Sequence, residues 1–122
     1  MKTRTTLFTG ALLMAIAIGL GAFGSHALKP SLEATGRFGT FELAVRYLMI
    51  HSLALLILGG LMDKRPRLSI ASILLLAGMI FFSGSLLMLA FTNNGTWGSV
   101  TPIGGTFFVA GWLAAAWAVL KY

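Results

Sequence analysis

Four long apolar runs, at residues 7–28, 44–62, 68–91 and 103–120, take up 83 of the 122 positions in this chain. A helix needs about 20 apolar residues to cross a hydrocarbon core of roughly 30 Å. Runs of 22, 19, 24 and 18 residues all reach that range, the last only just. None of them alternates with period two, which excludes the short alternating strands of a membrane barrel. The expected fold is all-α: a four-span transmembrane helix bundle forming a single integral membrane domain over residues 1–122.

Composition closes off the other classes. Charged residues make up 10% of the chain and hydrophobic residues 57%, whereas a soluble domain carries about 25% charged residues. So few charges cannot coat a water-facing globule, and so apolar a chain cannot stay disordered. The net charge of +6 raises the question of nucleic acid. Basic residues would then cluster on one polar face; here they bracket the apolar runs, so the expected partner is the lipid bilayer and not nucleic acid. A chain without cysteine has no disulfide framework, thiolate metal site or cysteine nucleophile.

The basic residues also predict orientation. With four spans, both termini and the 63–67 loop share a side. That side holds Lys2, Arg4, Lys64, Arg65, Arg67 and Lys121, against Lys29, Arg37 and the membrane-edge Arg46 opposite. The positive-inside rule places both termini in the cytoplasm, with the protein in the plasma (inner) membrane. A cleaved signal peptide is the alternative for the first run. Its apolar stretch of about 18 residues exceeds the 7–15 of such a peptide, so it is expected to remain as a span.

The second run carries the awkward residues Arg46 and His51. A central arginine costs about 2.5–3.5 kcal/mol on the insertion scale, and each Leu, Ile or Val returns about 0.3–0.6. Nine such residues lie between Val45 and Leu61, and Arg46 is near enough to the end to snorkel. The segment spans. Between the runs, Lys29-Pro30 is expected to end the first helix. A short surface helix follows over 31–35, broken by Gly36 and Gly39, with Thr40 capping the second span. Asn93-Asn94-Gly95 reads as a turn, which is also the reading of the sequon Asn94-Gly95-Thr96. Thr101-Pro102 reads as the cap and first turn of the fourth span.

Gly19-Leu20-Gly21-Ala22-Phe23-Gly24 matches the GxGxxG dinucleotide fingerprint, but inside a membrane span it has neither the preceding strand nor access to a pyrophosphate. Small residues at Ala11, Ala15 and Gly19 and at Ala17 and Gly21 form stripes that let helix backbones approach. With Gly24, Gly104, Gly105 and Gly111 they are the expected helix-packing positions.

The chemistry-bearing residues form one expected intramembrane polar network: His51, Tyr47, Glu42, Arg46, His26, Ser83 and Ser85. Glu42 and Arg46 are spaced i,i+4 and can pair on one face of the second helix. Tyr47 and His51 share that spacing further round, giving the helix a second polar edge. A neutral His51 is expected to face the bundle interior and bond to Ser83, Ser85 or the backbone near Gly24, since lipid penalises an unsatisfied polar group. Trp112, mid-span, is expected to reach the same serines with its indole N–H. Two histidines without a third ligand at metal spacing predict no metal site, and no cofactor is expected.

The blocks Gly21-Ala22-Phe23-Gly24-Ser25-His26-Ala27-Leu28, Ala44-Val45-Arg46-Tyr47 leading to His51-Ser52-Leu53-Ala54, Phe82-Ser83-Gly84-Ser85-Leu86 and Thr101-Pro102-Ile103-Gly104-Gly105 resemble one family over nearly the whole chain. It is the bacterial membrane family known as domain of unknown function 423, similar also to the eukaryotic transmembrane protein 256. The resemblance implies a small multi-span membrane protein and no particular activity. Ser25 stands where that family's pattern has alanine. The residues themselves favour a structural or accessory membrane component, with homo-oligomers or other membrane proteins as possible partners. The rival is an oligomeric transporter or channel for a small solute or ion, built on the polar edge of the second span. An integral membrane enzyme ranks last, because hydrolytic and redox chemistry needs more convergent groups than this chain supplies.

Overall fold

A computed structural model describes residues 1–121; Tyr122, which the interfacial preference of aromatic rings predicts near a membrane surface as it does Trp97 and Trp117, lies outside the described residues. Four helical passes, each long and apolar enough to span a membrane, cover Thr3–Ala34, Phe38–Leu61, Leu68–Thr92 and Gly95–Leu120. Within them run α1 (Thr3–Phe23), α2 (Lys29–Ala34), α3 (Phe38–Leu61), α4 (Leu68–Gly78), α5 (Gly84–Thr92) and α6 (Thr101–Leu120). The outside is as apolar as the inside: Phe8, Ile57, Ile73, Val109 and Leu113 are each at least half exposed. Soluble proteins rarely leave so continuous an apolar surface in water, whereas lipid tails cover it without cost.

The passes alternate in direction, and side chains tie both ends of the bundle. At one end Thr3 Oγ1 donates to Asp63 Oδ1 at 2.7 Å, and Arg65 Nη1 donates to Val119 O at 3.0 Å. The Arg67 guanidinium lies 4.5 Å over the Trp117 ring. Both chain ends therefore sit with the 63–67 loop. At the other end Arg37 Nε donates to Asn93 Oδ1 at 2.8 Å. The second and third passes form the central pair. The first packs on the second, the fourth on the third.

Two turns of π-helix interrupt the passes, at Gly24–Leu28 and Met79–Ser83. The first explains why Lys29-Pro30 does not end the helix as expected. Pro30 falls in the first turn of α2, directly after the π turn, where a missing N–H costs little. The chain breaks instead at Gly36, whose φ of +73° is a left-handed conformation that glycine adopts without strain. The second span starts earlier than expected, at Phe38, so Gly39 lies within α3 and Thr40 is no cap. Residue 93 makes the expected turn with a φ of 52°, and the Asn94 side chain accepts from the Thr96 N–H at 3.1 Å. Val100, not Thr101, is the residue before α6.

The small-residue stripes divide. A Cβ on Gly104 would lie 2.2 Å from the Phe82 backbone nitrogen, and one on Gly111 would lie 2.7 Å from Leu75 Cδ2. Gly24 holds the Phe41 ring as closely, and Gly21 touches Val45. Gly105 is barely in reach of Phe82 at 4.0 Å, and Gly19 meets nothing, so Gly19 is no packing position. Ala11 and Ala15 face outward with it. The buried seam of α1 is Thr6, Gly10 and Ala17, spaced four and seven residues apart and so on one face of the helix. Gly10, Gly59 and Gly78 also sit at close approaches.

Candidate functional site

The candidate site is the inward edge of α3. His51 is the fourteenth of the 24 residues of α3, about 20 Å from its start at 1.5 Å per residue. The imidazole therefore lies near the middle of the second pass. His51 is 4% exposed. Tyr47, one turn earlier, lines the same edge half-buried.

Across from this edge α6 presents Phe108 and Trp112, also i,i+4. Gly78 allows Phe108 in: a Cβ there would stand 2.4 Å from Phe108 Cδ1. The Phe108 ring stacks on His51 with centroids 3.7 Å apart and planes 10° from parallel. Tyr47 packs against Phe82 at 4.6 Å, and Phe82 against Phe108 at 5.4 Å. Three passes thus close one aromatic cluster around a single imidazole.

Both imidazole nitrogens are used. Trp112 Nε1 donates to His51 Nε2 at 3.1 Å, and His51 Nδ1 is 2.8 Å from Tyr47 O. An indole has only a donor, so Nε2 accepts; the ring proton then sits on Nδ1 and is donated to the Tyr47 carbonyl. This fixes a neutral imidazole in one tautomer. The interhelical bond expected of His51 exists, but with Trp112 in place of Ser83, Ser85 or the backbone near Gly24. Trp112 likewise reaches His51 and not the serines, with 44% of the residue still exposed: its N–H points in while its ring lies at the bundle surface.

The serines brace the frame. Ser83 Oγ, at the end of the π turn, donates to Ala44 O of α3 at 2.9 Å. Ser85 Oγ donates to Phe82 O at 3.0 Å and lies 2.7 Å from Thr101 Oγ1. With its one hydrogen used, Ser85 accepts from Thr101, which ties the third pass to the start of α6. Ser72 Oγ is buried without a partner.

The outward edge of α3 behaves differently. Glu42 and Arg46 are both exposed and form no ion pair with each other; the pair among the described residues is Lys29–Glu33 at 3.9 Å. Their side chains border a groove of about 380 Å³ between the first and second passes, with Gly21, Ser25, Phe38 and Ile50 among its walls. Ser25 Oγ donates to Gly21 O at 2.8 Å. His26 is exposed on the π turn and is not part of the buried cluster. The expected single network is therefore two separate regions. Among the described residues no three His, Cys, Asp or Glu side chains come together to hold a metal ion.

Sequence reasoning missed Phe82 and Phe108. The signal for Phe108 was present, since it precedes Trp112 by the same interval that separates Tyr47 from His51. Phe82 had none, because its direction depends on the π turn.

The model of a protein of unknown function, DUF423, matches residues 20–105, a stretch that includes His51, Phe82 and the start of α6. A UPF0382 membrane protein of Staphylococcus haemolyticus is 39% identical over 95% of both chains. UPF0382 membrane protein YwdK of Bacillus subtilis is 34% identical, covering 95% of this chain and 96% of its own. UPF0382 inner membrane protein YgdD of Escherichia coli is 37% identical, covering 92% and 86%. No solved structure matches. Matched over most of its length by that model and by these relatives, the chain belongs to the DUF423 family of small membrane proteins.

Proposed function

We propose that this protein is a structural or accessory component of the inner membrane, without catalytic activity of its own, in which the His51 cluster locks the fourth pass against the second. The observation that carries this reading is the engagement of both imidazole nitrogens. A histidine that relays protons needs a partner that can hand over or take up a proton, and neither an indole N–H nor a helix carbonyl does so. Here Nε2 receives the indole N–H and Nδ1 gives its proton to a helix carbonyl, while stacked rings fill the space around it. The inner-membrane location is supported by the name of the Escherichia coli relative.

Two measurements test this. Purified in mild detergent, the protein is expected in a fixed stoichiometry with itself or with another membrane protein. Reconstituted alone into liposomes carrying an entrapped pH dye, it is expected to give no proton flux above empty vesicles. A flux lost in His51→Gln with folding intact would overturn the reading in favour of the transporter.

In the proposed orientation both termini lie in the cytoplasm, supported by six basic residues on that end against three at the other. The cysteine-free chain permits a clean check with single cysteines at Thr3 and Thr96. An impermeant thiol reagent applied outside intact cells is expected to label only position 96; labelling at position 3 would invert the assignment.

A further inference from the structure

The groove on the outward edge of α3 has a chemical order along its length. Glu42 is four residues from the helix start, Arg46 eight and Ile50 twelve, or about 6, 12 and 18 Å at 1.5 Å per residue. α3 is about 36 Å long by the same rise, against a hydrocarbon core of roughly 30 Å. Glu42 thus sits nearest the membrane surface, Arg46 below it within snorkelling reach, and Met49 and Ile50 among the acyl chains.

Neither charge is neutralised by the other, and each borders the same groove. Ser25 has its hydrogen committed to Gly21 O, so its oxygen offers lone pairs only. From the surface inward, beside the rings of Phe38 and Phe41, the polar groups of the groove are therefore acceptors and then a cationic donor, with the apolar side chains of Met49 and Ile50 below them.

We propose that this groove binds a phospholipid with a primary-amine headgroup, of the phosphatidylethanolamine type, from the leaflet at the residue 35–37 end. In such a lipid the ammonium is outermost, the phosphate lies one ethylene bridge deeper, and the acyl chains follow. The ammonium donates to the Glu42 carboxylate and Ser25 Oγ, Arg46 holds the phosphate, and one acyl chain lies along Met49 and Ile50. A purely anionic headgroup would satisfy Arg46 and be repelled by Glu42. A choline headgroup brings the charge but no N–H to donate. The order of groups along the helix matches the order of groups along the lipid.

The test is native mass spectrometry of the whole protein released from micelles, titrated with phosphatidylethanolamine, phosphatidylglycerol or phosphatidylcholine of matched chains. Wild type is expected to retain the ethanolamine lipid about three- to fivefold more than either competitor, the size of one partly exposed charge-assisted contact. Glu42→Gln should bring that preference close to parity, and Arg46→Gln should lower retention of all three lipids. Equal retention by wild type, preference for the glycerol lipid, or unchanged binding in both variants would overturn the proposal. Both side chains lack intramolecular ionic partners, so the variants are expected to fold, checked by helical circular dichroism. Should either fail to fold, the preference of wild type alone decides.

Discussion

The two polar edges of α3 are built alike and end in opposite surroundings. Glu42–Arg46 and Tyr47–His51 are both i,i+4 pairs on one helix, offset by five residues. The outward pair is exposed and its members do not meet; the inward pair is held by three passes, two hydrogen bonds and a set of rings. The difference does not lie in the pairs. It lies in what faces them: Gly21 and Ser25 leave a groove open to lipid, whereas Gly78 and Gly104 bring α6 and its aromatics to the other edge. The lesson is that a polar residue in a membrane helix is buried by the small residues of its neighbours.

If so, filling those small positions should cost most. Gly104→Ala would drive a methyl into the Phe82 backbone and is expected to destabilise by about 1–3 kcal/mol or more, seen as a lower midpoint of thermal unfolding in detergent. Gly19→Ala, where nothing is near, should be neutral or stabilising by up to about 1 kcal/mol. Equal effects at the two glycines would break the comparison.

Next in size is the imidazole. His51→Leu leaves the Trp112 N–H unpartnered and should cost about 0.6–2 kcal/mol of helix association, measured by the same unfolding series. His51→Gln retains a carbonyl to accept that N–H and should lose less. A leucine variant as stable as wild type would make His51 a passenger.

Trp112→Phe removes the donor together with part of the ring, and the expected cost of the lost hydrogen bond is about 0.5–1.5 kcal/mol. Imidazole nitrogen chemical shifts report the tautomer directly. Wild type should show a single Nδ1–H form, and the phenylalanine variant a mixture. A mixture in wild type would contradict the hydrogen-bond assignment.

The smallest effect belongs to the outward edge. Glu42→Gln and Arg46→Gln should each change stability by no more than about 0.5 kcal/mol. A loss comparable to that of His51→Leu would mean that the outward edge is also an interlock.

Much of the inward edge was legible beforehand. Spacing put Tyr47 and His51 on one stripe, and the penalty for polar groups in lipid turned that stripe inward. The partner was not legible. Ser83 and Ser85 were the obvious hydrogen-bonding residues of the third pass, yet each is satisfied locally or by a backbone carbonyl, and the bond to His51 comes from α6. The Glu42–Arg46 pairing failed for a related reason. Helical spacing permits contact between two side chains but does not require it where both reach the membrane surface.

The sequence by itself determined the four passes, their alternation and the burial of His51, because hydrocarbon tolerates only helices and penalises unsatisfied polar groups regardless of which helix is next to which. It also determined that glycine would mark the close approaches, without saying which glycines. Tertiary structure decided that: Gly104, Gly111 and Gly24 face a neighbour, while Gly19 faces open space. It also decided the tautomer of His51 and the place of Phe82, since both depend on where a second backbone stands. The π turns set that position by rotating one part of a pass against the next, a shift that residue periodicity does not record.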